Sequence, residues 1–106
     1  MKMERIDRVR AALCAQGLTQ MIVCDPKSVW YLTGVAVEPY ERLLALYLPT
    51  DGEPVLFLNK LFNVPNPPCK AVWHTDTDAP VAQIAAVVDA AKPLGIDKEW
   101  PAKFLI

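Results

Sequence analysis

The sequence predicts an α/β sandwich, a mixed sheet of about five strands with helices on its faces. Three observations point there. Residues 21–24, 43–48 and 55–58 are continuous apolar runs without the alternation of a half-solvated strand, so they read as strands covered on both faces. Residues 4–16 and the stretch after Asp78 carry apolar side chains at helical spacing and can supply that cover. Between two of the runs, Asp51-Gly52 marks a β-hairpin, which makes part of the sheet antiparallel.

In chain order, residues 4–16 place Ile6, Val9 and Leu13 on one side of a helix with Ala12 beside them, while Arg5, Arg8, Arg10 and Gln16 point to a solvated face. Glu4 and Arg8 form an i, i+4 pair in the favourable orientation, and Gly17 is a natural stop. The run at 21–24 then reads as a central strand. Asp25 ends it: its carboxylate can accept hydrogen bonds from the first free amides of a helix, and Pro26 at the first helical position has no amide to leave unpaired. Val29 and Leu32 share one face of this short helix, and Gly34 stops it after Thr33. Trp30 and Tyr31 fall on adjacent faces, so one is expected to pack on the sheet while the other borders the surface.

Residues 35–42 mix apolar and charged positions without a period and read as a loop. The strands at 43–48 and 55–58 follow, joined through residues 49–54. Pro65, Pro67 and Pro68 exclude a regular helix or central strand from residues 59–69, leaving a plain connection. Residues 71–74 form a shorter strand near the sheet edge. Asp78 is expected to cap the next helix, with Val81, Ile84, Ala85 and Val88 as its packing face and Lys92-Pro93 as its close. A last strand at 94–97 precedes a helix opened by Pro101 over residues 102–106. Because that helix stops on Phe104, Leu105 and Ile106 without cap or polar tail, the expectation is a chain cut inside a longer polypeptide.

A length of 106 residues fits one domain with one core region. Eleven Lys and Arg against twelve Asp and Glu, with no basic run longer than two residues, argue against a nucleic-acid partner. No segment approaches the roughly 18–20 apolar residues needed to cross a bilayer. Lys2, Glu4, Arg5, Asp7 and Arg8 stand where a signal peptide would have its apolar core, so a cytoplasmic protein without membrane contact is expected. Cys14, Cys24 and Cys69 are odd in number and lack Cys-x-x-Cys spacing, which suggests neither a disulfide framework nor a zinc knuckle.

Catalytic groups are scarce. A Ser-His-Asp or Cys-His arrangement would have to use His74, the one histidine, and no Gly-x-Ser-x-Gly elbow presents a nucleophile. His74, Asp76 and Asp78 alternate like metal ligands on one side of an extended segment, yet acidic residues ahead of a helix are expected as caps and dipole partners.

Residues 25–34, Asp-Pro-Lys-Ser-Val-Trp-Tyr-Leu-Thr-Gly, resemble the Asp-Pro-x-Ser/Asn-Val/Ile-aromatic-Tyr-Leu-Thr/Ser-Gly signature near the start of Xaa-Pro peptidases and creatinases. Residues 41–46 and 94–105 also look like that N-terminal domain at fitting distances, so the resemblance covers residues 1–106. It implies the ribonuclease-H-like N-terminal domain of the creatinase/prolidase family. It implies further that a larger C-terminal pita-bread domain follows, in which two aspartates, a histidine and two glutamates hold two divalent metal ions, commonly manganese. On this resemblance residues 1–106 are inactive alone. Their partners would be that catalytic domain, a second subunit in a homodimer, and short proline-containing peptides as substrate. The domain's family role resembles a lid and a dimer contact. The loop after Gly34 supplies the substrate-binding candidates, Tyr40 and Arg42, with Arg42 able to hold a substrate carboxylate bidentately. The competing reading of Arg42 is a surface salt bridge to Glu38 or Glu41. Three other readings stay open: the N-terminal domain of a creatinase, an inactive peptidase-like binding module of the kind found in a histone chaperone, and a free-standing domain that dimerises through residues 104–106.

Overall fold

Residues 1–40 and 42–96 are described by a computed structural model, which orders them as α1 (Met3–Ala15), β1 (Gln20–Val23), α2 (Pro26–Thr33), β2 (Ala45–Pro49), β3 (Val55–Asn59), β4 (Lys70–His74), α3 (Pro80–Val87) and β5 (Gly95–Ile96). The expected helix over 102–106, its apolar end and Glu41 lie outside the described residues. One five-stranded sheet runs β4-β3-β2-β1-β5. The β2–β3 hairpin and the β1–β2 pair are antiparallel, with Leu46 opposite Leu56 and Ile22 opposite Tyr47. Both outer pairs, β3–β4 and β1–β5, are parallel, so the sheet is mixed as expected and β4 lies at its edge.

Successive side chains of a strand point to opposite faces, so an unbroken apolar run feeds two cores at once. Every residue of β2 and β3 is buried. On one face Val23, Leu46, Leu48, Leu56 and Leu58 pack with Ile6 of α1 and with Val29 and Leu32 of α2. On the other, Ile22, Ala45, Tyr47, Val55 and Phe57 pack with Ile84 of α3. Each such aliphatic or Phe side chain contributes about 1.5–3 kcal/mol relative to exposure.

Local chemistry sets the ends of α1 and α2. Gly17 (φ 74°) and Leu18 donate to the carbonyls of Cys14 and Leu13 at 3.0 and 2.9 Å, the paired closure of a left-handed helix stop. Asp25 accepts from Lys27 N at 3.4 Å and from the Ser28 hydroxyl at 2.8 Å, and Gly34 (φ 81°) donates to Trp30 O at 2.8 Å. The buried Thr33 hydroxyl donates to Val29 O and accepts from Val35 N, starting the loop that follows.

Several expectations are corrected. Arg5 and Arg10 do not belong to a solvated face: Arg5 donates to Tyr31 O at 2.8 Å and lies 4.2 Å from the Tyr31 ring centroid, and Arg10 donates to Pro49 O and Gly52 O. Arg8, on Glu4 at 2.8 Å, and the exposed Gln16 behave as expected, whereas Ala12 is exposed. Trp30 and Tyr31 are both exposed, at 53% and 45%, because Val29 and Leu32 take the inward face and leave the two positions between them on the outer side. Asp78 is not the cap of α3. Ala79 occupies that place, since a residue before proline is driven out of the helical region and α3 can begin only at Pro80. Nor does α3 reach Lys92-Pro93; it ends at Val87, with Val88 extended and Ala85 exposed. The cause is Gln20. Its buried side chain accepts from Asp89 N at 2.9 Å and donates to the carbonyls of Asp89 (2.8 Å) and Lys92 (3.1 Å), and so holds the chain in a turn.

Candidate functional site

β1, β3 and β4 run out, and β2 begins, at one common end of the sheet, where Val23, Ala45, Asn59 and His74 mark the strand ends. Side chains from three separate connections meet there. Pro39 O accepts from Arg42 N at 2.9 Å, and within this turn Tyr40 takes a left-handed φ of 53°, unfavourable for a bulky side chain by on the order of 1 kcal/mol. That conformation leaves Tyr40 83% exposed.

Arg42 meets Asp76 side-on, Nε to Oδ1 at 3.1 Å and Nη2 to Oδ2 at 3.2 Å. Among the described residues its carboxylate partner is therefore not Glu38 but a residue 34 positions away; Glu41 lies outside the described residues. Asp76 Oδ1 also accepts from Asn59 Nδ2 at 2.8 Å. Asn59, 2% exposed at the end of β3, accepts from Leu61 N at 2.9 Å through Oδ1, which fixes which way its amide faces. The hydrogen bonds from Arg42 and Asn59 hold the Asp76 carboxyl below the ordinary carboxylate range. Asp78 lies below that range too, mainly because it accepts from Thr75 N at 2.7 Å and closes the turn at 75–78.

His74 is 2% exposed, and among the described residues its Nδ1 has no hydrogen-bond partner. Burial pulls its pKa below the usual histidine value, against the opposing pull of Asp78 and Asp76, so the imidazole is neutral near pH 7. The alternating His74, Asp76 and Asp78 do not converge. Residues 75–78 turn, so His74 is buried, Asp76 bonds Arg42 and Asn59, and Asp78 folds back on Thr75. Among the described residues no three His, Cys, Asp or Glu side chains are grouped to hold a metal ion.

These groups line a cleft of about 200 Å³ walled by Leu43 and Pro80. A cleft of about 350 Å³ lies between α2 and the following loop, lined by Lys27, Trp30, Val37 and Glu38. Of the two residues the sequence put forward, Tyr40 and Arg42, the structure sets both in one tight turn, with Arg42 fastened and Tyr40 projecting. Asn59 was not foreseen, and Asp76 was weighed only as a metal ligand or helix cap. A polar residue closing an apolar strand was the signal for Asn59, whereas nothing in the spacing links Asp76 to Arg42. Among the described residues no helix is long and apolar enough to cross a membrane.

Comparison with known proteins follows the same lines. The family model of the creatinase/prolidase N-terminal domain matches residues 5–105. An uncharacterized peptidase of Staphylococcus aureus is 37% identical over 104 residues, covering 98% of this chain and 27% of that protein. One from Staphylococcus epidermidis is 33% identical over 82 residues, covering 74% of this chain and 23% of its own. This chain thus spans about a quarter of the length of these curated relatives. Among solved structures, the creatinase/prolidase N-terminal domain of an X-Pro dipeptidase from Streptococcus pyogenes superposes with a TM-score of 0.82 at 27% identity, over 95% of this chain and 82% of that one. A prolidase from Thermococcus sibiricus superposes with a TM-score of 0.79 over 97% of this chain and 30% of that one; its 23% identity shows the shared fold alone.

Proposed function

The chain belongs to the creatinase/prolidase N-terminal domain family, and we propose that it is the non-catalytic N-terminal domain of a metal-dependent Xaa-Pro dipeptidase or aminopeptidase, where it makes subunit contacts and gates substrate. The observation that carries this reading is the turn after Gly34, which holds Arg42 in a fixed, half-exposed position beside the projecting Tyr40. A guanidinium in that setting suits the terminal carboxylate of a short peptide, and a carboxylate anchored near the scissile bond restricts peptide length. Tyr40 supplies an apolar wall with a polar tip, and exposed Trp30 and Tyr31 offer surface to an adjoining domain or second subunit in a homodimer.

In this reading two divalent metal ions, manganese by family resemblance, belong to a C-terminal catalytic domain. The described residues of this chain do not form a set that fits such ions. What the chain's own residues do is bind, orient and admit the peptide, in a cytoplasmic setting.

The test compares the product of the complete reading frame with residues 1–106 alone, each supplied with Mn²⁺ and an Xaa-Pro dipeptide. Cleavage by the former and none by the latter is expected. Activity of residues 1–106 alone, or a complete protein that leaves Xaa-Pro bonds intact and hydrolyses creatine instead, overturns the reading.

A further inference from the structure

A guanidinium has five N–H donors in a rigid plane. Asp76 engages Nε and one hydrogen of Nη2, so both Nη1 hydrogens and the second Nη2 hydrogen, the outer edge of the fork, take no part in the pair. Asp76 is itself braced, because its Oδ1 accepts from an Asn59 amide whose own orientation is fixed by Leu61 N. A continuous line of hydrogen bonds therefore runs from the buried end of β3 to the guanidinium.

We infer that Asp76, braced by Asn59, is a positioning residue that fixes Arg42 so that its outer Nη1/Nη2 edge is the one offered to a substrate carboxylate. This rests on the function proposed above. Two effects of Asp76 oppose each other. Its negative charge lies beside the incoming carboxylate and weakens attraction, while its side-on grip removes rotamer freedom that Arg42 would otherwise lose on binding. The pair is 40% and 55% exposed at its two side chains, so solvent screens the charge, whereas the two short bonds and the Asn59 brace act on orientation directly. Orientation dominates.

The complete protein is assayed on one Xaa-Pro dipeptide with a free carboxylate and on the same dipeptide amidated at its C-terminus. Asp76→Ala is expected to raise KM for the free acid about tenfold with kcat within about twofold, and to leave the amide unchanged, the pattern of lost uniform binding. Asp76→Asn, which keeps an acceptor oxygen, falls between wild type and Asp76→Ala. Once Arg42 is alanine, adding Asp76→Ala has no further effect. If Arg42→Ala loses the free acid selectively but Asp76→Ala does not, or lowers its KM, the positioning role is overturned and the carboxylate site stands. If Arg42→Ala affects both substrates alike, or the complete protein cleaves neither, the site and the positioning role both fall. Circular dichroism of each variant checks that the fold survives the loss of the Asn59 amide's partner.

Discussion

At one end of the sheet Gln20 ties three segments together; at the other, Arg42, Asp76 and Asn59 do the same with different chemistry. Gln20 is buried and neutral, and its amide is used on both sides: Oε1 accepts from Tyr47 OH at 2.9 Å and from Asp89 N, while Nε2 donates to two carbonyls within 3.1 Å. Such a network is saturated and its Gln20 and Tyr47 side chains are buried, so it serves to hold the fold. The Arg42 network is charged, half-exposed and, among the described residues, unsaturated on one edge. Both bridge distant parts of the chain, but only the second, on the function proposed above, keeps donors for a ligand. Unused donors on a braced group, not the number of hydrogen bonds, separate a binding site from a structural clamp.

The comparison breaks most visibly at its closed end. Gln20→Leu removes the partners of Tyr47 OH, Asp89 N and the Asp89 and Lys92 carbonyls, and should lower unfolding free energy by about 3 kcal/mol in urea titration, with amide exchange rising first in residues 88–96. An unchanged urea midpoint would mean the network is incidental. Asn59→Ala strips Leu61 N and Asp76 of a partner and should lower stability by about 1–2 kcal/mol. At this end, unlike the other, binding should suffer as well as stability.

Acid distinguishes the two ends too, because Gln20 does not titrate. The folded Asp76 carboxyl is depressed by Arg42 and Asn59, so its stabilisation is present above the ordinary carboxylate value of 3.8 and is lost as pH falls through the folded value. His74 acts earlier in an acid titration. Burial lowers its folded pKa, so below the ordinary 6.5 the unfolded chain takes up the proton more readily and stability declines as pH falls from there toward the folded value. NMR titration of the two side chains should place both below their ordinary values; a His74 titrating at or above 6.5 would contradict its burial in a neutral state. The smallest effect is expected from Glu4→Ala, which removes an exposed i, i+4 pair with Arg8 and should cost no more than about 0.5 kcal/mol in the same urea assay. It calibrates how little an ion pair matters without a brace.

Much of the fold was legible because its signals are local. Asp25-Pro26 opening α2, Gly34 closing it, Asp51-Gly52 between β2 and β3, and the unbroken apolar runs each act within a few residues. The errors came where a distant partner or a neighbouring residue overrode a local preference. Asp78 has cap chemistry, but Pro80 displaces the helix start and Thr75 N claims its carboxylate. Residues 88–93 retain helical spacing, yet Gln20, 69 positions before Asp89, bends them into a turn. The same held for the site: Tyr40 and Arg42 could be named from the loop and its family resemblance, whereas Asp76 and Asn59 owe their places to the parallel pairing of β3 with β4, which sets Asn59 beside His74.

On the function proposed above, the turn after Gly34 reads a peptide carboxylate for a catalytic domain. The most direct measurement of this is the ratio of kcat/KM for a free-acid Xaa-Pro dipeptide to that for its amide, in the complete protein and in Arg42→Ala. A ratio well above one that collapses to about one in the variant is the predicted result; a ratio unmoved by the substitution would contradict it.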